Sequence, residues 1–318
     1  MDRTFIDTIR ENDQVEGVFW VKERAMATSR TGAPYLRVRL SDRTGEIEGR
    51  IWDGAEEFVA LFERGDFVKI KGQATSYQDK LQLNIKSLKR AEENEVSLED
   101  FLPASARDLE EMLLELIAIG QTIENEYLRD LVMAFLEDEE FMVLFKRAPG
   151  AKRLHHAYLG GLLEHTLSIA NLIKKIKGHY DGIDHDLLLA GAILHDIGKV
   201  HELSYDIAFE YTDEGRLLGH IIMGLEMVEE RISKIEGFPA ELAMLMKHLL
   251  ISHHGQYEWG SPKRPKTLEA QILYYLDDLD AKVSGIQEFM KKGEQGARWT
   301  DFHRIFDRFF YKGEGEEG

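Results

Sequence analysis

The chain has no cysteine among its 318 residues. Disulfides and thiolate zinc sites are therefore excluded, and any metal must be held by His, Asp or Glu. No apolar run approaches the roughly 20 residues that a membrane-spanning helix requires. The opening Met1-Asp2-Arg3-Thr4-Phe5-Ile6-Asp7 lacks the basic start and apolar core of a signal peptide, so the expectation is a cytoplasmic protein without a membrane partner. Positive charge is also in deficit: 40 Lys and Arg face 58 Asp and Glu, a formal net charge of −18. The deficit is uneven, because residues 1–90 hold 16 basic and 15 acidic side chains, leaving 24 against 43 for residues 91–318. That balance argues against tight, nonspecific binding to duplex nucleic acid, whereas the near-neutral first part can carry a local basic face. With 43% hydrophobic and 31% charged residues, over a length sufficient for two or three domains, the composition is that of a globular protein.

What is present divides at about residue 90. Before it, five short alternating segments start at Val15, Tyr35, Ile47, Phe67 and Leu81, with turns at Thr31–Pro34 and Asp42–Gly45. Five strands in so short a stretch suggest a small closed barrel, and Ala55–Arg64, with helical periodicity before Gly65-Asp66, matches the single helix of an OB-fold. Residues 91–108 form a polar, acidic connector, where the domain boundary is placed. From Leu109 the pattern turns to amphipathic helices over 109–119, 126–136, 139–146, 161–176, 186–197, 218–235, 239–252, 267–289 and 300–310, so residues 109–312 are read as all-α. Residues 313–318, Gly-Glu-Gly-Glu-Glu-Gly, are too polar to pack and are expected to be disordered.

The most informative feature is His195-Asp196 at the end of the apolar run Leu187–Leu194. Burying an imidazole beside a carboxylate costs free energy unless something binds them, and a divalent cation is the simplest candidate. Three other contexts place imidazole on or at the end of an apolar helix: His165, His220 and the pair His253-His254. Asp277 and Asp280 then share a helix face at i,i+3. Any one of these histidines alone is more often a hydrogen-bonded core residue; single ligands from several facing helices are how helical bundles build metal sites. Imidazole with carboxylate suits Mn²⁺, Mg²⁺, Co²⁺, Fe²⁺ or Zn²⁺. Two such ions roughly 3.5–4 Å apart, sharing the Asp196 carboxylate, would activate water against phosphorus. Lys199 adds a positive charge for the transition state, or else is a solvated helix-end lysine. His156 and Arg153, in a segment rich in cations, are read as phosphate contacts or as plain surface loop. The remaining histidines, His179, His185, His201, His248 and His303, are read as structural or exposed.

The ordered set His165, His195-Asp196 and a later Asp resembles the HD-domain metal-dependent phosphohydrolases over roughly residues 140–290. The resemblance implies that His165, His195, Asp196 and Asp277 are ligands, with Asp277 preferred to Asp278 because it lies three residues before Asp280-Ala281. It also implies that His220, His253 and His254 complete a binuclear site, with manganese the expected ion. Residues 15–90 resemble the anticodon-binding type of OB-fold in Tyr35–Gly45, Ile51-Trp52-Asp53 and Arg64–Gly72. Single strands are bound on such barrels by stacked aromatics and by Arg or Lys along the backbone. Candidates are Tyr35, Arg37 and Trp52, then Phe19, Trp20, Tyr77, Arg39 and Lys69, each of which could instead be barrel core or a solvated strand face.

The two-domain order, with Gly160–Thr166 and Leu276–Lys282, is similar to the YhaM-type 3′→5′ exoribonucleases over nearly the whole chain. That implies a small all-β OB-fold barrel followed by an all-α HD-domain bundle, acting on single-stranded RNA, and sometimes DNA, to release nucleoside monophosphates. Asp280 joins His156 and Arg153 as a substrate contact in this reading. Two alternatives stay open on the residues: a small-nucleotide phosphohydrolase with a regulatory OB-fold, and a catalytically silent nucleic-acid adaptor. The aromatic stripe from Trp299 to Tyr311 is read as a packed C-terminal helix or a subunit contact, which leaves a homo-oligomer as an expectation.

Overall fold

A computed structural model describes residues 4–29, 31–78, 80–152, 156–205, 209–293 and 296–313. Two compact units divide the chain between Pro103 and Ala104. The expected substrate contact Arg153 and the tail residues 314–318 lie outside the described residues.

The first unit is a closed barrel of strand order β1-β2-β3-β5-β4, built from β1 (Gln14–Thr28), β2 (Pro34–Asp42), β3 (Gly45–Ile51), β4 (Phe67–Tyr77) and β5 (Lys80–Arg90). Alternation decides which side chains face inward: Leu36, Val38 and Leu40 of β2 are buried, while Tyr35, Arg37 and Arg39 point outward. The strands run several residues beyond the apolar alternation, and β1 carries a register shift between Val21 and Glu23 that lets so long a strand turn within the barrel. Helix α1 is shorter than its periodicity suggests, Ala55–Val59, and enters through Gly54 in the left-handed region. The acidic segment after β5 is not free of the barrel. It forms two 3₁₀ turns, Glu93–Glu95 and Leu98–Asp100, and then buries Phe101, whose ring centroid lies 4.6 Å from that of Phe67.

The second unit is a helical bundle of α2 (Leu109–Gly120), α3 (Glu126–Leu136), α4 (Glu139–Arg147), α5 (Gly161–Ile176), α6 (His185–Leu194), α7 (Lys199–Glu202), α8 (Asp213–Leu217), α9 (Gly219–Lys234), α10 (Ala240–Ser252) and α11 (Leu268–Lys292). Asp108, Asn125, Asp138, Asp184 and Thr267 cap their helices, each accepting backbone N–H groups of the first turn. Helix α6 is the axis. Every residue from Leu187 to Leu194 is buried, as an all-apolar helix requires, and α2, α3, α5, α10 and α11 pack around it. Among the described residues no helix is long and apolar enough to cross a membrane.

The fold class is as expected, an OB-fold barrel followed by a helical bundle, with one short ribbon in which Leu203–Ser204 (β6) pairs with Glu210–Tyr211 (β7). One sequence expectation fails, because residues 300–310 are not a helix. Backbone bridges Trp299↔Tyr311 and His303↔Arg308 fold them into a hairpin, turned at Asp307 with φ 53°. The rings recur at helical spacing, but Trp299 faces Tyr311 at 5.1 Å and Phe302 faces Phe309 at 5.2 Å, contacts that only a folded-back chain allows.

Candidate metal centre

Helix α6 stops at Leu194 rather than at Ile197, and the chain continues in tight i,i+3 turns, with Lys199 N–H donating to Asp196 O at 3.0 Å. His195 therefore occupies the C-cap, where its Nδ1 meets the Ala192 carbonyl at 2.8 Å. The same device closes α10: His253 is the C-cap and its Nδ1 meets Leu250 O at 2.7 Å. Each imidazole satisfies a carbonyl that the helix end would otherwise leave open, and each points Nε2 forward.

The other histidines are pinned at Nδ1 as well. His165 Nδ1 lies 2.7 Å from Asp280 Oδ2, His220 Nδ1 2.9 Å from Glu202 Oε1, and His254 Nδ1 2.8 Å from Trp259 O. Gly198 makes the approach of α9 possible, because a Cβ there would sit 2.1 Å from His220 O.

The Nε2 atoms gather around one carboxylate. Asp196 Oδ2 lies 3.3 Å from His195 Nε2 and 3.7 Å from His165 Nε2, while Oδ1 lies 3.4 Å from His220 Nε2 and 3.5 Å from His253 Nε2. Asp277 Oδ1 completes the first side at 3.2 Å from His165 Nε2, and His254 joins His220 and His253 on the second. Asp278 instead pairs with Lys282 at 2.7 Å. The Nε2 atoms of His195, His220 and His253, together with Asp196 Oδ1, are buried without a hydrogen-bond partner. Four such atoms converging in one place would be strongly unfavourable if nothing bound them, and imidazole nitrogens held by an Nδ1 hydrogen bond are the ordinary donor set for divalent cations. The residues fit a metal site. A third set, His156, His165 and Asp280, is instead closed by hydrogen bonds within itself.

Electrostatics prepare the same arrangement. Burial opposes ionisation of Asp196, but Lys199 and His195 overcome it and hold the carboxyl well below its usual range. Asp277 is likewise held low, against burial, by His165 and His195. Burial pushes His253 down, and burial with its neighbours His253 and His220 pushes His254 down to about 3, so both present neutral lone pairs at neutral pH. For His165 burial opposes charging, yet Asp277 and Asp280 bring it up to about 9, so an incoming cation displaces a proton there.

Several expected roles change. Lys199 is neither solvated nor free to meet substrate: it is buried, 2.6 Å from Asp196 Oδ2, and donates to Gly150 O at 2.7 Å. His156, with φ 49°, has Nδ1 on the Tyr158 hydroxyl at 2.8 Å and Nε2 on Asp280 Oδ2 at 3.0 Å, so neither nitrogen is open to a phosphate. Asp280 accepts from His156, His165 and Ser168 and aims His165 rather than a ligand of its own. Glu202, Tyr158 and Ser168 escaped sequence reading, because only the folded chain brings Glu202 to His220, Tyr158 to His156 and Ser168 to Asp280. The histidines read as structural or exposed stay outside the cluster, as with His248, whose Nε2 accepts from Lys266 N–H at 2.9 Å, and the exposed His201.

On the barrel, Tyr35 and Trp52 stack at 4.5 Å, and Trp52 is 40% exposed. The Arg50 guanidinium lies over Tyr35 at 5.7 Å and Tyr77 at 5.3 Å, and Arg37 sits opposite Arg50 in the β2–β3 ladder. Arg50 is the member of this platform that sequence reading missed. Other candidates drop out: Phe19 is barrel core, the Trp20 indole donates to Gly65 O at 3.1 Å, Lys69 pairs with Glu95 at 2.7 Å, and Arg39 faces Glu23 and Glu46 at 3.7 and 3.9 Å.

Comparison with known proteins agrees with both units. Residues 162–282 match the HD domain family and residues 15–91 the OB-fold nucleic acid binding domain family. The 3′-5′ exoribonuclease YhaM of Bacillus velezensis is 34% identical over 301 residues, covering 94% of this chain and 95% of that protein. Its counterpart from a Geobacillus species is also 34% identical, covering 94% of this chain and 92% of that protein. On this evidence the chain belongs to the family of YhaM 3′-5′ exoribonucleases.

Proposed function

We propose that the protein is a metal-dependent 3′→5′ exoribonuclease that releases nucleoside monophosphates from single-stranded RNA, in the cytoplasm where such substrates are found. The observation that carries the hydrolytic part is Asp196, whose two oxygens face two separate sets of imidazole Nε2 atoms. In this reading His165, His195 and Asp277 would hold one divalent ion and His220, His253 and His254 a second, with Asp196 offering one oxygen towards each set. When bound, such ions neutralise phosphoryl oxygens and lower the pKa of water. Manganese is the ion proposed for the assay, from a donor set of imidazole and carboxylate that also suits Fe²⁺, Co²⁺ and Zn²⁺.

The chain's own residues do the rest. Lys199 fixes the Asp196 carboxylate by its ammonium, anchored in turn on Gly150 O. Glu202 and Asp280 orient the rings of His220 and His165. The stacked Tyr35 and Trp52, with Arg50 and Arg37, form a face on which unpaired bases stack while guanidinium groups meet phosphates. A complete donor set speaks against a silent adaptor.

The test is incubation of the protein and Mn²⁺ with 5′-labelled single-stranded RNA, beside a panel of free nucleotides. A ladder of shortened RNA with released monophosphates is expected. Turnover of free nucleotides with intact RNA would sink the proposal.

A further inference from the structure

His165, His195, Asp196 and His253 are buried, whereas His254 and Asp277 keep part of their surface in solvent, so the donor cluster is open where those two lie. The chain that follows His254 borders this opening. It leaves α10 at Gly255, where a Cβ would sit 2.3 Å from the Tyr274 ring of α11, and makes a 3₁₀ turn at Tyr257–Trp259. Beyond the turn the buried Ser261 donates from Oγ to Lys263 O at 2.7 Å, and Lys263 N–H donates to Ile251 O at 3.2 Å. The loop is thereby tied back to the helix it left.

Trp259 touches both sides of the opening. Its carbonyl oxygen lies 2.8 Å from His254 Nδ1, so one hydrogen bond and one imidazole ring separate its backbone from the second set of donors. Its indole lies against α11, with a centroid 6.2 Å from that of Tyr274, three residues before Asp277. Lys282 Nζ, paired with Asp278 at 2.7 Å, lies over the same indole at 5.7 Å. Trp259 is still 51% exposed, which leaves ring area free for a second ring. The surroundings are cationic: Lys263, Arg264 and Lys266 fall within four residues, with no acidic residue between Glu258 and Glu269, in a region where acidic side chains outnumber basic ones 43 to 24. An exposed ring among cations is the ordinary means of holding an unpaired base.

Resting on the exoribonuclease reading, we propose that Trp259 is the stacking face for the base of the 3′-terminal nucleotide. Hydrolysis that releases a nucleoside 5′-monophosphate adds the oxygen of water to phosphorus and breaks the bond to the 3′ oxygen of the shortened strand, which takes up the proton. The attacked phosphate thus departs with the terminal nucleoside, and the base it carries lies within one nucleotide's length of the donors. Trp259 is the exposed ring attached to them. The terminal base has a strand neighbour on one face alone, so its other face is free for the indole. Stacking accepts any base, as an enzyme that removes each nucleotide in turn requires.

The test titrates the full chain, in the presence of Mn²⁺, with adenosine 5′-monophosphate and separately with ribose 5-phosphate, by calorimetry. Wild type is expected to bind the nucleotide about tenfold more tightly than the sugar phosphate, and Trp259→Ala to erase that preference while binding ribose 5-phosphate as before. Trp259→Phe, which keeps a ring, recovers most of it. Trp299→Ala, which removes another exposed tryptophan of the same unit, leaves it intact. The Mn²⁺ affinity of Trp259→Ala stays at the wild-type value, since the carbonyl that meets His254 belongs to the backbone. Equal binding of the two probes by wild type, or an undiminished preference in Trp259→Ala, would overturn the assignment. So would a fall in Mn²⁺ affinity, which would make the indole a prop for His254, or a changed sedimentation mass with nucleotide binding retained, which would make it a contact between copies. RNA trimming by the wild-type protein with Mn²⁺ is scored separately, so a failure of the exoribonuclease reading is distinguishable from a failure of the stacking site.

Discussion

The metal centre and the aromatic face of the barrel hold their functional groups by opposite means. In the bundle, each imidazole has one nitrogen committed to a carbonyl or carboxylate of the protein and the other aimed at a single point, and the carboxylates around that point are kept ionised. On the barrel, Tyr35, Trp52, Arg50 and Tyr77 rest against one another at the surface. Chemistry on phosphorus needs charges placed to a fraction of an ångström, which burial and hydrogen bonding supply. Holding a strand of any sequence needs only π-faces and cations that can adjust.

Substitutions can break or sharpen that contrast. Asp196→Ala removes the one carboxylate shared by both imidazole sets, and kcat on RNA should fall by about 10³-fold or more while RNA affinity in EDTA is retained. If activity survived, the assignment of the centre would be wrong. Glu202→Gln leaves the ligands in place but loosens His220; Mn²⁺ affinity by calorimetric titration should drop about 10- to 100-fold. On the barrel, Trp52→Ala should raise KM for RNA about tenfold, within the range of roughly 1–3 kcal/mol for a lost base stack, with kcat unchanged. A fall in kcat instead would erase the distinction between a face that binds and a centre that reacts.

Asp138→Ala, remote from both, should cost about 1 kcal/mol of stability through loss of the α4 cap. Backbone hydrogen bonding from Phe141 and the Arg231 partner lower the Asp138 pKa. A lowered folded pKa stabilises above the unfolded value near 4 and ceases to do so as pH falls through the folded one, so wild type and variant melting temperatures should converge in acid.

Much of the centre was legible in the chain because its ligands are polar residues set in apolar helical runs, and such exceptions stand out one helix at a time. His165, His195, His220, His253 and Asp277 were all visible in this way. What stayed hidden depends on contacts between distant positions. Asp280 looked like a substrate contact until its hydrogen bonds to His156 and His165, more than a hundred residues away, defined it as a positioning group. Arg50 was concealed by alternating with Glu46 and Glu48 on β3, and only the neighbouring strands bring Tyr35 and Tyr77 to it. At residues 299–311 the rings recur at helical spacing, and only the pairing across the hairpin shows that the chain folds back there.

The C-cap histidines carry a consequence for stability. Ala192 O and Leu250 O are satisfied by the Nδ1 atoms of His195 and His253, so the ends of α6 and α10 ask nothing of a cation, while the Nε2 atoms of the same two rings are left for one. Each ring thus ties the end of a helix to the point where an ion would sit, and loss of the ion is felt first at those two helix ends. Chelation should therefore lower the melting temperature, by an amount that differential scanning calorimetry with and without EDTA would read.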